Sequence, residues 1–265
     1  MSPPINQQFG HRREPNQSKP VPGPSGIRDE RFHAPAYEPN APLHRRDRSP
    51  ADAANPFMDR MVAPDFGANQ TLGEAYKPMQ EQLRAHIDRS VPLTDEEFAF
   101  VLAHLEVKHY RKHQFLVQAG QPAEYCYYVA SGLLKLFYTH KSGKQHIVSF
   151  AMEDGWESDC QAYFTRTRAT LSLECLEDTS VFCLSLDHYH QLCAGLRKFE
   201  RFFLQLALFD SVAAQRRILS LLTTQAKERY EHLIKQHPSL VQRVPKSLLA
   251  SYLGVTRETL SRLTP

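Results

Sequence analysis

The placement of proline limits this chain more than any other feature. Thirteen of its 18 prolines fall within residues 1–78, and none lies between Pro122 and Pro238. Proline interrupts helix interiors and central strands, so extended regular structure belongs to the proline-free stretch. Residues 1–78 also carry only 10 Leu, Ile, Val and Phe residues, about 13%, too few to bury a core that offsets chain entropy. That segment reads as disordered, with local polyproline II character. Charge is equally uneven. The total of +3 divides into +1 for residues 1–78, −4 for 79–213 and +6 for 214–265. A basic terminal segment points to a polyanionic partner.

From Met79 the pattern becomes periodic. Met79, Leu83 and Ile87 suit one face of a short helix. Thr94 with Glu97 forms a capping-box pattern for a second helix, from Asp95 to about Leu105. Short β-rich runs follow at 115–117, 125–130, 133–138, 146–151, 171–175 and 181–184, separated by turn residues such as Gly120-Gln121-Pro122 and Ser142-Gly143. Their number and spacing predict an antiparallel sandwich or barrel. Leu192, Leu196, Phe199, Phe203 and Leu206 are then spaced by four, three, four and three. A helix over 196–223 would run some 28 residues, about 42 Å. Phe202, Phe209 and Arg216 lie on a second stripe, and two stripes exceed what one contact needs, so this helix is expected to dimerise. Shorter helices are predicted at 226–236, 245–253 and 256–263.

The last two predicted helices carry the most information. VPKSLLASYLGVTRETLSRL is two helices joined by a short turn containing Gly254, the pattern of a helix-turn-helix. The glycine supplies a backbone conformation with positive φ. Leu248, Leu249, Leu253, Val255 and Leu260 would bury the inner faces, with small Ala250 where the helices approach. The second helix would expose Arg257, Glu258, Thr259, Ser261 and Arg262. Arginine bonds guanine O6 and N7, and glutamate accepts from cytosine N4. Lys246, Ser247 and Thr256 suit phosphate contacts.

These residues resemble the end of a Crp/Fnr-family transcription regulator, in the elements RVP, ASYLG and TRETLSR. FERFFLQLALFDSVAAQRRILSLLTTQAKERY resembles that family's dimerisation helix and connector, and YYVASGLLKLFY and LECLEDTSVFCLS resemble strands of its cyclic-nucleotide-binding-like jelly roll. The resemblance covers roughly residues 79–265. It implies an α+β fold: a jelly-roll sensor over 79–195, a dimerisation helix over 196–224 and a DNA-binding helix-turn-helix domain over 225–265. It further implies a homodimer that binds double-stranded DNA at a palindromic site, with Arg257, Glu258 and Arg262 at base edges. Family members that bind cyclic nucleotides carry a Gly-Glu pair and, about ten residues later, an Arg-Ser pair. Registered on the strand 181–185, those positions hold Ser158-Asp159 and Ala169-Thr170, with Arg168 one residue early. Asp is shorter than Glu, alanine has no charge, and a one-residue shift turns a strand side chain to the other face. Tight cyclic AMP binding is therefore not expected. Any effector pocket is expected around Trp156, Ser158, Asp159, Arg168 and Thr170, its small-molecule ligand unidentified.

Several function classes fall away. No run of about 18 apolar residues could span a membrane, and no apolar signal-peptide core follows the N-terminus. The five cysteines form no CxxC pair, which fits reduced thiols in the cytoplasm better than a disulfide framework. They are too dispersed for a Fnr-like iron–sulfur cluster. The 13 histidines are scattered, so neither a metal nor another cofactor is implied. Without a P-loop, nucleophile elbow, HExxH or GxGxxG, an enzyme is not expected. The competing reading is a sensor or scaffold whose truncated C-terminus weakens DNA binding. For residues 1–78 two readings stand: a genuine tail, or sequence upstream of a true start at Met79.

Overall fold

A computed structural model describes residues 71–263, with side chains from Tyr76 onward. The expected disorder of the N-terminal segment lies, up to residue 70, outside the described residues. Helix α1 (Thr71–Asp88) corrects the boundary drawn at 78: it includes the eight residues before Met79, and Pro78 lies inside it. The aggregate composition of 1–78 concealed an anchor there. The Tyr76 ring stacks on His109 with centroids 5.7 Å apart, and its hydroxyl lies 3.2 Å from His109 Nε2. Leu83 and Ile87 are fully buried, on the face their spacing predicts.

Helix α2 (Asp95–Leu102) starts at the capping box read from sequence: the Glu97 N–H donates to Thr94 Oγ1, and the Thr94 N–H donates to Glu97 Oε2. It stops three residues before the expected Leu105. The strands follow as β1 (Glu106–Tyr110), β2 (Phe115–Val117), β3 (Tyr125–Ser131), β4 (Leu134–Thr139), β5 (Gln145–Ala151) and β6 (Trp156–Glu157). After an intervening helix α3 (Cys160–Thr165) come β7 (Ser172–Cys175) and β8 (Thr179–Ser185). They form two four-stranded antiparallel sheets, ordered β1-β8-β3-β6 and β2-β7-β4-β5. This is the expected jelly roll.

Alternation along the strands explains its two apolar layers. Tyr127, Val129, Val181 and Cys183 point inward and meet Leu134, Leu136 and Leu173 of the other sheet. Their neighbours Tyr128, Phe182 and Leu184 point outward and are covered by Leu83, Ile87, Leu192, Phe199 and Phe202 from helices. Strands covered on both faces read as continuous apolar runs, as β3 and β8 do. Gly132 makes the turn from β3 to β4 with φ of 106°; a Cβ there would lie 2.4 Å from Thr179 Oγ1.

The expected long helix over 196–223 is observed within one residue of those bounds, and a further helix precedes it. α4 (Leu186–Gly195) and α5 (Arg197–Thr223) are separated at Leu196, whose extended φ and ψ (−135° and 94°) break the helix while its side chain stays buried. Apolar periodicity runs through that break, so spacing alone did not reveal it. Then come α6 (Ala226–Gln236), α7 (Pro238–Arg243), α8 (Lys246–Tyr252) and α9 (Arg257–Leu263). α7 was not expected: Pro238 reads as the stop of the helix before it, but it also opens the next one.

The C-terminal helices rest on the sheet. Leu233, Leu240, Leu249, Leu253 and Leu260 pack with Leu133 and Leu176 in one cluster. Two arginines fasten this contact. Arg243 donates to Glu153, Glu177 and the Gly132 carbonyl. Arg217 of α5 donates to the carbonyls of Val148, Ile147 and Tyr252, with its guanidinium 4.0 Å from the Tyr252 ring centre. Ser251 adds hydrogen bonds to the β5 backbone at Gln145 and Ile147.

Candidate functional site

Two regions combine exposure with chemistry: the α8–α9 pair and a cavity beneath α5.

Local sequence sets the α8–α9 geometry. Pro245 caps α8, and Gly254 turns the chain with φ of 69°. The Val255 N–H donates to the Ala250 carbonyl at 2.9 Å, a close approach that suits a small residue. Leu249, Leu253 and Leu260 are buried, whereas Leu248 and Val255 are only partly so. Thr256 starts α9, its Oγ1 accepting from the Thr259 N–H at 3.1 Å. Its seven residues place Arg257, Glu258, Thr259, Ser261 and Arg262 outward around the buried Leu260. Lys246 and Ser247 are exposed at the start of α8, beside Pro245. All eight residues singled out for DNA contact are therefore exposed on these two helices or the turn between them. The Glu258 carboxyl is held below the usual range by its own backbone N–H and by Thr256, so it is an acceptor at neutral pH.

Helix α5 leaves an apolar stripe uncovered. Leu204, Leu208, Val212, Leu219 and Leu222 follow at steps of four, four, seven and three, and Leu222 is 78% exposed. Such spacing keeps side chains on one face of a helix.

The cavity, about 990 Å³, lies between α5, β6, α3 and α4. Its wall is aromatic: Trp156 meets Phe203 at 5.3 Å, Tyr189 meets Phe203 at 5.1 Å and Phe164 meets Tyr189 at 5.5 Å. The Trp156 Nε1 is buried and donates no hydrogen bond among the described residues. Glu157 lines the same space. Burial pushes its carboxyl up to about 7, against hydrogen bonds from Ser149 Oγ and the Ser158 N–H that favour the charged form. The Asp210 carboxyl on α5 is exposed at the rim of this space, and partial desolvation there raises its pKa.

This arrangement corrects the expected effector pocket. Of its five residues, Trp156 and Ser158 line the cavity and Asp159, Arg168 and Thr170 do not. Asp159 is instead the N-cap of α3, accepting from the N–H groups of Ala162, Thr170 and Leu171 and from the Thr170 hydroxyl. Arg168 is exposed and donates to the Gly120 carbonyl, and Ala169 is buried. Ser158 donates its hydroxyl to the Tyr125 carbonyl. Sequence reasoning missed Glu157 and Asp210, whose juxtaposition depends on α5 crossing a two-residue strand.

The five cysteines are unpaired. Among the described residues, no cluster of three His, Cys, Asp or Glu could hold a metal ion, and no helix is long and apolar enough to cross a membrane.

Comparison with known proteins fits this architecture. Residues 107–195 match the cyclic nucleotide-binding domain family. No curated protein matches the chain. Solved structures do. FixK2 from Bradyrhizobium japonicum superposes with a TM-score of 0.53 at 22% identity, over 60% of this chain and 82% of its own. The c-di-GMP responsive global regulator CLP of Xanthomonas campestris gives 0.53 at 18% identity, over 64% of this chain and 89% of its own. A CooA mutant from Carboxydothermus hydrogenoformans gives 0.50 at 19% identity, over 62% and 76%. At these identities the likeness is one of fold.

Proposed function

We propose that this chain is a sequence-specific DNA-binding transcription regulator of Crp/Fnr type, acting without catalysis as a homodimer on a palindromic site. The observation that carries this reading is α9, which turns Arg257, Glu258, Thr259, Ser261 and Arg262 outward from a single buried leucine. A helix held this way by a glycine turn can enter a major groove, where those side chain types read base edges. Lys246, Ser247 and Thr256 would hold phosphates on either side. The exposed stripe of α5 is the surface on which a second copy would pack, bringing two α9 helices to two half-sites. The global regulator CLP, whose fold is similar, supports the assignment by analogy.

Cyclic AMP is not the effector in this reading. Asp159, at the position of the ribose-binding glutamate, has its oxygens committed to four donors within the chain. The position of the phosphate-binding arginine is the buried Ala169, and a phosphate placed there would lack its counter-charge.

A gel-shift titration tests the function. A specific complex should form with strong salt dependence, and Arg257→Ala or Arg262→Ala should weaken it by about 1–3 kcal/mol at particular bases. Equal affinity for all duplexes, unchanged by either substitution, would refute the regulator reading and favour a scaffold.

A further inference from the structure

The cavity beneath α5 has a charge pattern that limits what can enter it. Its volume of about 990 Å³ is at the upper end for small-molecule pockets, roughly 300–1,000 Å³. Trp156, Phe164, Tyr189 and Phe203 supply aromatic surface, and aromatic faces attract cations. Three carboxylates line the cavity: Glu200 sits with Arg197, Lys198 and Arg201 at the start of α5, whereas Glu157 and Asp210 form no ion pair with a lysine or arginine among the described residues. The cationic side chains in the lining sit towards the start of α5. Lys198 is paired with Glu97 at 2.8 Å. Arg201 precedes Asp210 by nine residues, about 13 Å along the helix. The Asp210 end of α5 is therefore acidic, and the described basic residues of the lining lie at the other end of the helix.

We propose that this cavity binds an amphipathic organic cation, an aromatic or alkyl ammonium, with its apolar body against Trp156, Phe203 and Tyr189 and its charged head between Glu157 and Asp210. The ammonium would provide the counter-charge that Asp210 lacks and would favour the ionised form of Glu157, while the aromatic wall displaces water from the rest of the molecule. The position differs from that of a bound cyclic nucleotide, since Asp159, Arg168 and Thr170 are not in the lining. Treating the cation as an effector rests on the DNA-binding reading above; its binding does not.

Trp156 is the only tryptophan in the chain and lines the cavity, so its fluorescence reports occupancy directly. The full chain is titrated with benzyltrimethylammonium, and separately with phenylacetate, an anion of similar apolar body. The expected result is a saturable change with the ammonium and none with the carboxylate. Glu157→Gln and Asp210→Asn should each weaken the ammonium response by roughly tenfold or more. Asp210 is exposed on α5, so the second variant carries the test even where the first fails to fold. Equal responses to both probes, no response to either, or an affinity unchanged in Asp210→Asn would overturn the proposal. Displacement of the ammonium by cyclic AMP would overturn it too. A fluorescence response with no DNA complex in the gel shift would refute the regulator reading and leave the cation site standing.

Discussion

Replacing Glu157 by glutamine should change how stability depends on pH, and the structure fixes both sign and size. Burial raises the folded-state pKa from the ordinary 4.5 to about 7. Between those values the native state holds a proton that the unfolded chain has released, so stability falls as pH rises through this window. Each pKa unit corresponds to about 1.36 kcal/mol, so the loss is about 3 kcal/mol once the pH is above 7. Glutamine retains a carbonyl that can accept from the Ser149 hydroxyl, at 2.5 Å from Glu157 Oε2 in the native protein, but it cannot ionise. The assay is urea unfolding of both proteins from pH 4 to 8.5. Their free energies should lie close together at pH 4 and diverge above pH 5, with the variant more stable by about 3 kcal/mol at pH 8. Other titrating groups contribute alike to both curves and cancel in the difference. Parallel curves would show that the Glu157 carboxyl titrates alike in the folded and unfolded chain, and burial as the cause of its raised pKa would be refuted.

Three further perturbations follow. His86 is pushed below its ordinary pKa by burial, and beside Tyr128 and Phe202 neither of its ring nitrogens has a hydrogen-bond partner among the described residues. Its neutral form favours folding, so stability should drop as pH falls below about 6.5, and His86→Phe should remove that part of the acid loss in the same urea series. Gly254→Ala forces a Cβ into φ of 69° and against Leu221 at 3.3 Å. It should cost about 1–2 kcal/mol, read as weakened protection of α8 and α9 amides in hydrogen exchange while the sheets are unaffected. Leu208→Glu, at a residue 58% exposed in the single chain, should abolish dimers in sedimentation without lowering monomer stability; an unchanged dimer would place the interface elsewhere.

What was legible in the sequence was what neighbouring residues determine by themselves. Thr94 and Glu97 cap α2 as their spacing predicted, and Gly254 and Thr256 set the α8–α9 turn as read. In each case donor and acceptor lie within three residues, or one residue's backbone freedom decides. The failures came where the deciding contact is distant. Tyr76 is ordered by His109, 33 residues away, and a composition average over 1–78 could not register one stacking partner. Counting back from the 181–185 strand puts Asp159 in the region of an expected effector pocket, and that count carries no information on what its oxygens accept. A short helix begins immediately after it, and four donors claim its oxygens. No local pattern marks Glu157, because only the passage of α5, some fifty residues later, encloses it.

The same helix connects the two candidate sites physically. α5 is 27 residues without a proline, about 40 Å of continuous hydrogen-bonded backbone. Its first two thirds, through Ala214, line the cavity. Three residues later Arg217 holds the carbonyls of Ile147 and Val148 on β5 and of Tyr252 on α8, and Leu221 lies against Gly254. Burial lowers the Arg217 pKa, and its remaining Nε is enclosed without a partner. A displacement of α5 at the cavity therefore cannot be absorbed freely at its other end. It must either stretch hydrogen bonds from a partly buried cation, each worth about 1.5–3 kcal/mol, or carry α8 with it. Arg243 opposes the second outcome, because its bonds to Glu153 and Glu177 hold α7 to the sheet independently of α5. The position of α9 is thus set by two arginine fastenings of different origin, of which only the Arg217 one lies on the helix that lines the cavity.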